Sequence, residues 1–201
     1  MNKQEALEIF IRCGAFLSGH FVYASSKHGN VYINKDAIYL RPRLTSKMCQ
    51  AIAEQFADDK VEVVIAPAIG GVILSQWTAY HLSEITGREV FGVYAEKAES
   101  GDAFIVKRGY DKVVAGKNIL VVEDVLTTGA TTKKVVEATR ALGGNVIGLG
   151  ALCNRGGVRP EDVANPPKLF ALVNVHLDAW DEAECPLCAN GVPIDTNIGR
   201  A

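Results

Sequence analysis

The sequence has no uninterrupted apolar stretch near the roughly 20 residues that a membrane span requires, so no membrane partner is expected. It also lacks a charge imbalance. The formal net charge of −2 offers no broad footprint for nucleic acid or an anionic lipid surface. No GxxxxGK[ST] run and no GxGxxG run occurs, which removes two common phosphate-binding fingerprints. The five cysteines, Cys13, Cys49, Cys153, Cys185 and Cys188, are odd in number and scattered, which argues against a disulfide framework. The opening residues MNKQEALEIFIRCGAF set acids inside the apolar pattern and carry no small-residue cleavage site. They read as an amphipathic helix rather than a secretion signal, and a cytoplasmic location is expected.

What is present suits one globular domain over 1–201. The hydrophobic fraction of 48% and charged fraction of 22% are ordinary, and 201 residues bury a core without staples. No repeat, low-complexity segment or linker divides the chain.

Ala6, Ile9, Phe10 and Cys13 recur at helical spacing, and Gly14 stops that helix. GHFVYASSKHGNVYINKDAIYL alternates aromatic and polar residues around turn residues at Ser25 to Asn30, predicting short strands about a turn. Thr45 is placed to cap a helix running to about Ala57. VEVVIAPAIGG reads as a buried strand ending in a tight loop, followed by a helix from about Val72 to Ile85. REVFGVYAEK is another strand, and the polar stretch from Ala98 to Gly116 is a long exposed loop or hairpin. NILVVEDVL is a buried strand, and TTKKVVEATRALGG a helix ended by glycine. NVIGLGALCNR and KLFALVNV are further strands, and little periodicity of either kind follows from about His176.

Alternating strands and helices with continuously apolar strands predict an α/β fold with a mostly parallel sheet. Ligands of such sheets sit beyond the carboxyl ends of the strands. The loops PAIGG, VEDVLTTGATT and CNRGG leave strand ends and should gather at one rim.

In NILVVEDVLTTGATT, Glu123 and Asp124 close an apolar run. Ionised carboxylates only accept hydrogen bonds, and a vicinal diol offers two donors close together. The same pair can hold magnesium through its waters. Thr127, Thr128, Gly129, Ala130, Thr131 and Thr132 then open a helix whose first N–H groups are unpaired and partly positive, a seat for phosphate. A sugar grip followed by a phosphate cradle fits a ribose 5-phosphate. The other reading of these residues is a solvated acidic pair before a capped helix.

The stretch VVEDVLTTGATT resembles the phosphoribosyl diphosphate (PRPP) signature of type I phosphoribosyltransferases. Several other stretches resemble orotate phosphoribosyltransferase: FVYASSKHGNVYINK its N-terminal element, PAIGG its diphosphate loop, CNRGG the strand end whose Arg holds the base, and CPLCANGVPI the tail of one branch. Ser26 stands where that family usually has Gly, and Gly29 where it has Ser.

The resemblance implies the type I fold, with an N-terminal hood of about 1–40, a core of about 41–175 and a tail of about 176–201. It implies that Glu123, Asp124, Val125, Leu126, Thr127, Thr128, Gly129, Ala130 and Thr131 bind PRPP, with Ile69 and Gly70 meeting the diphosphate through the backbone. It implies that Thr127, Arg155, Tyr32 and Ile33 hold orotate. Many relatives carry Lys at the Gly70 position. Lys97 falls at the start of the mobile catalytic loop and would act in catalysis and on PRPP, beside Asp124. Glu96 replaces the family's Arg and no His follows, so Lys107 and Arg108 are candidates to supply the lost charge. Magnesium, carried mainly by PRPP without direct protein ligands, and a homodimer with a shared active site are implied in the same way.

Residue chemistry alone also allows plainer readings. The segment from Ala98 to Gly116 has the length and polarity of a lid, and equally of a solvated hairpin. Arg155 offers a planar fork for an anionic base, and equally a surface ion pair. Cys185 and Cys188 have the spacing of half a zinc site, with no second pair in sequence, so a partner chain would have to supply the rest. Plain reduced thiols are the simpler reading. His20 and His28 sit in the N-terminal element, where either is free simply to face solvent, and Trp77 and Trp180 are expected to be core.

The predicted function is transfer of the phosphoribosyl group from PRPP to orotate in pyrimidine synthesis. The alternatives are a phosphoribosyltransferase for a purine or other base, and a non-catalytic PRPP sensor on the same fold.

Overall fold

The computed structural model describes residues 1–23 and 25–196. The opening helix α1 (Lys3–Arg12) buries Ala6, Ile9 and Phe10, as their spacing requires. Its N-terminus is closed by a capping box in which Asn2 and Glu5 satisfy each other's backbone N–H groups. Gly14, with φ +68°, ends it.

Strands β1 (Phe16–Val22) and β2 (His28–Ile33) form an antiparallel hairpin apart from the main sheet. Register shifts between Ser18 and Phe21. Residues Asp36–Tyr39, expected to prolong the strands, form a short helix α2 instead. Helix α3 (Pro42–Phe56) starts at Pro42, three residues before the expected Thr45. Pro is preorganised for the first helical turn, where its missing N–H costs nothing. The Thr45 hydroxyl is buried and donates back to the Ile38 carbonyl at 2.9 Å.

The main sheet contains β3 (Val63–Pro67), β4 (Phe91–Lys97), β5 (Phe104–Ile105), β6 (Asn118–Leu126), β7 (Asn145–Asn154) and β8 (Leu169–Asn174) in the order β5-β4-β3-β6-β7-β8. Every pairing is parallel except β4 with β5. Helices α4 (Gly71–Thr86), α5 (Tyr110–Val114) and α6 (Ala130–Ala141) connect these strands.

Alternate residues of a strand face opposite sides of a sheet. Val64, Ala66, Leu120 and Val122 accordingly share one core with α1, α3 and α4, while Val63, Ile65, Ile119 and Val121 share another with α5 and α6. Both faces are covered, so the strands are continuously apolar. Trp77 and Trp180 are half-buried rather than core.

The segment from Ala98 to Gly116 takes the hairpin alternative rather than one open loop. It folds back as β5 against β4 and continues into α5, with Val106 and Val114 buried. The tail after β8 has a 3-10 turn at Glu182–Glu184 and a short α-helix, α7 (Pro186–Ala189). Among the described residues, no helix is long and apolar enough to cross a membrane.

Candidate active site

Strands β4 and β6 lie on either side of β3, and the connections from β3 to β4 and from β6 to β7 run over opposite faces. The chain therefore leaves a crevice at the carboxyl ends of β3 and β6. A cleft of about 750 Å³ occupies that place, walled by the loops after β3, β6 and β7 and by the β1–β2 hairpin. The three loops gather at one rim as their strand ends require.

Most of the expected site residues line this cleft: Tyr32, Ile33, Ile69, Gly70, every residue from Glu123 to Thr131, and Arg155. Three do not. Lys97 and Arg108 line a neighbouring cavity of about 600 Å³ with Tyr94 and Glu96, and Lys107 lines neither. Arg108 Nε lies 2.7 Å from Glu96 Oε1, so within one chain that cation is already engaged.

The acidic pair is asymmetric. Glu123 is buried, with its carboxylate accepting from the Asp124 N–H at 3.1 Å and from the Thr132 hydroxyl at 3.0 Å. Burial, reinforced by the Asp124 charge, raises its pKa above the ordinary carboxylate range, and those hydrogen bonds offset only part of the effect. Asp124 lines the same cleft with different partners. Its Oδ1 accepts from the Val125 N–H at 2.7 Å, and its Oδ2 lies 2.9 Å from Lys35 Nζ and accepts from the Tyr39 hydroxyl at 3.3 Å. Burial, with the Asp124 and Glu123 charges added, raises the Tyr39 pKa and keeps that hydroxyl a donor.

Lys35 escaped the sequence reading because a lone Lys before a short helix carries no pattern. Burial works against its charge, but the Asp124 carboxylate outweighs it and the ammonium pKa is raised. A Cβ on Gly70 would fall 2.7 Å from Lys35 Nζ and 2.8 Å from Asp124 Oδ2. A side chain at position 70 would thus compete with the Lys35 ammonium, which arrives from α2's side of the cleft.

The threonine-rich turn ends at Gly129, whose φ of +77° begins α6. Thr128 Oγ1 accepts from the Ala130 N–H at 3.3 Å. The first turn of this twelve-residue helix, Ala130 to Thr132, lines the cleft, and helix N-terminal N–H groups carry partial positive charge. The loop is locked to its neighbour: the N–H groups of Arg155 and Gly156 donate to the Leu126 carbonyl at 3.0 and 3.2 Å.

Arg155 stacks on Tyr23, its guanidinium carbon 4.0 Å from the ring centroid. Tyr23, also missed from sequence, donates its hydroxyl to the Val31 carbonyl. Burial raises its pKa against the opposing charge of Arg155, so it stays a neutral platform. Tyr32 packs on Phe21 with ring centroids 5.6 Å apart. The cleft thus offers an anion seat at α6, oxygen acceptors beside it, and a planar cation held flat at the hairpin wall.

His20 and His28 are not solvent-facing. They are 2% and 4% exposed and lie beside Cys185 and Cys188, and none of the four lines the cleft. Eight residues separate the histidines and the tail supplies the thiols, so no local motif announces the group.

Comparison with known proteins agrees with this geometry. Residues 36–184 match the family model "Phosphoribosyl transferase domain". The orotate phosphoribosyltransferase of Desulforamulus reducens is 37% identical over 199 residues, covering 96% of this chain and 95% of that protein. That of Thermoanaerobacter sp. is 34% identical, covering 96% of each. A crystal structure of Mycobacterium tuberculosis orotate phosphoribosyltransferase in complex with inorganic phosphate shares the fold, with TM-score 0.66 at 20% identity, over 86% of this chain and 95% of that one. Identity sustained over nearly the whole length, on a sheet whose acidic strand end and following helix N-terminus share a cleft with a stacked arginine, establishes that this chain belongs to the orotate phosphoribosyltransferase family.

Proposed function

We propose that this protein transfers the 5-phosphoribosyl group of PRPP to orotate, forming orotidine 5′-phosphate and diphosphate in pyrimidine nucleotide synthesis. The observation that carries the reading is one cleft in which the Thr127–Thr131 turn at the α6 N-terminus faces Arg155, with Asp124 between strand end and turn. The turn would hold the 5-phosphate, and Asp124 and Glu123 would accept from the ribose hydroxyls. Ile69 and Gly70 would offer backbone groups to the diphosphate, with the Lys35 ammonium beside them.

Arg155 would present its planar fork to the orotate carboxylate and carbonyl. Tyr32, Ile33 and Thr127 would complete that wall. Orotate N1 supplies the electron pair that forms the bond to ribose C1′, while the bond from C1′ to the diphosphate oxygen breaks and its electrons leave with diphosphate. Positive charge develops on the sugar and negative charge on the leaving group, so fixed cations near the diphosphate lower the barrier.

Magnesium belongs to this proposal. A hard cation takes oxygen donors and keeps several waters when it binds through one or two carboxylates and substrate phosphates. Among the described residues, Glu123 and Asp124 are the carboxylates lining the cleft, which suits magnesium carried by the diphosphate with Asp124 meeting its waters. When bound, the ion stabilises charge on the departing oxygens. Lys97 and Arg108 line a cavity beside this cleft and Lys107 lines neither, which favours their acting across the interface of a homodimer.

The test is to mix the protein with magnesium, PRPP and orotate and follow loss of orotate absorbance, with uracil, adenine and guanine in parallel. Turnover of orotate alone is expected. Turnover of a purine instead, or tight PRPP binding with no turnover of any base, would overturn the assignment.

A further inference from the structure

The histidines of the N-terminal hairpin and the cysteines of the tail converge on one point. His20 on β1, His28 at the start of β2, and Cys185 and Cys188 around α7 each bring one ligand atom within 4.8 Å of the other three. His20 and Cys185 are 165 residues apart in sequence. His20 Nε2 stands 2.8 Å from His28 Nδ1 and 3.6 Å from each sulfur, and Cys188 Sγ stands 3.3 Å from His28 Nδ1.

The two nitrogen–sulfur spacings at His20 are those of a tetrahedral site. Zinc–sulfur bonds of about 2.3 Å and zinc–nitrogen bonds of about 2.05 Å put ligand sulfur and nitrogen about 3.6 Å apart in a tetrahedron. Two ligand nitrogens would stand about 3.3 Å apart, so metal entry would spread the imidazoles by roughly 0.5 Å.

A second observation aims one ligand at the centre. His20 Nδ1 lies 2.7 Å from the Val192 carbonyl. A carbonyl only accepts, so Nδ1 carries the hydrogen and Nε2 is left with its lone pair directed into the cluster. The register shift between Ser18 and Phe21 falls at this part of β1, where such an irregularity re-aims a side chain. His20, His28 and Cys185 are all nearly inaccessible, and thiols are weak hydrogen-bond partners for buried imidazoles.

We propose that His20, His28, Cys185 and Cys188 form a closed structural zinc site that clamps the C-terminal segment onto the N-terminal hairpin. Two thiolates and two imidazoles are the donor set of structural zinc, and four protein ligands leave no open position for catalysis. The clamp explains what holds a tail whose own helix has four residues, too few to be stable alone. Around it the tail pairs with the hairpin: His28 and Trp180 exchange backbone hydrogen bonds of 2.8 and 2.9 Å, and the Asp195 N–H donates to the His20 carbonyl at 2.8 Å. The same hairpin presents Tyr32 to the cleft and leads into Tyr23, the platform for Arg155. Zinc would therefore fix the wall of the base pocket from behind. That consequence rests on the proposed function, whereas the metal itself does not.

The experiment is elemental analysis of the full chain purified from zinc-supplemented medium under reducing conditions, without a metal-affinity step. One zinc per chain is expected. The Cys185→Ser/Cys188→Ser double variant should lose it about tenfold or more, while Cys13→Ala retains it. Should the double variant fail to fold, cobalt(II) titrated into chelator-treated wild-type protein gives the readout instead. A thiolate-to-cobalt charge-transfer band with the intense visible bands of a tetrahedral ion supports the site. Chelation should also lower Tm, with zinc restoring it, and raise the KM for orotate more than it lowers kcat. Folded protein with no stoichiometric zinc and no tetrahedral cobalt spectrum would overturn the proposal, as would a Cys185–Cys188 disulfide in place of metal. A zinc-loaded protein inactive on orotate would leave the metal site standing and remove only the functional reading.

Discussion

Lys35 Nζ lies 2.9 Å from Asp124 Oδ2, at the spot that a side chain on Gly70 would claim. The pair places a cation from the end of the hood against the acid at the end of β6. On the proposed function, Lys35→Ala should raise the KM for PRPP about tenfold with the fold intact, because a cation beside the diphosphate seat would be lost. Gly70→Ala should displace the same ammonium, so the double variant should cost less than the two single effects combined. Steady-state kinetics of the four proteins decide it, and additive effects would separate Gly70 from Lys35.

Arg155 lies flat on Tyr23, which sets the plane of its fork. Arg155→Lys should behave almost as Arg155→Ala, because an ammonium neither stacks nor binds a carboxylate through two parallel bonds. Both variants should lose about a hundredfold in kcat/KM for orotate while binding PRPP nearly as wild type, measured by calorimetry and turnover. Comparable loss of PRPP binding would show that Arg155 serves the loop rather than the base.

Gly156 packs directly on the turn after β6. A Cβ there would sit 1.6 Å from the Thr127 carbonyl oxygen. That neighbour is backbone and cannot swing aside, so Gly156→Ala should force the two loops apart. A stability loss of about 2 kcal/mol or more is expected, together with weakened binding of both substrates. Thermal unfolding that matches wild type would show that the loops accommodate the methyl group.

Glu123 makes stability depend on pH in a defined direction. Its folded pKa is raised, chiefly by burial and then by Asp124. The folded state therefore holds a proton that the unfolded state releases in the ordinary carboxylate range. This contribution is fully present below that range and is lost as pH rises through the folded value. Glu123→Gln, which mimics the protonated side chain, should remove this part of the pH dependence and keep the ligand-free protein's Tm flatter towards alkaline pH. A wild-type curve rising with pH where the variant is flat would reverse the assignment.

Lys97 lines a cavity beside the cleft, so its partner site is expected to lie across a dimer interface. Lys97→Ala should lower turnover strongly and leave PRPP binding largely unchanged. Mixing Lys97→Ala with Arg155→Ala subunits should restore roughly a quarter of the wild-type sites after random exchange in a two-fold dimer. No recovery on mixing would place Lys97 on its own subunit's cleft or outside the mechanism, leaving Lys107 and Arg108 as the loop cations to test.

The main strands and the helices after them were legible because their periodicity is local. NILVVEDVL is apolar on both faces since both faces of β6 are covered, and Gly129 and the threonines mark a helix start by backbone requirements within a few residues. The acidic pair, the helix-opening turn after it and the rim shared by the three loops followed from that alone, whereas the PRPP reading of the turn came from its resemblance to a known signature. Thr45 misled because a hydroxyl near a helix start looks like a cap, whereas Pro42 had already begun the helix and Thr45 turned inward. The lid-like composition of 98–116 was equally suited to the β5 hairpin and α5 that form there, since polarity reports solvent and not motion.

By itself the sequence determined the α/β class, the order of its elements and the chemistry at the end of β6, since those depend on residues adjacent along the chain. Tertiary structure decided which distant groups meet: Lys35 with Asp124, Tyr23 with Arg155, and the hairpin histidines with the tail cysteines. It also decided that Lys97 and Arg108 stand outside the main cleft of their own chain. Such meetings depend on strand order and on how the hairpin and tail pack over the sheet, and side-chain chemistry acts over a few ångströms whatever the separation in sequence.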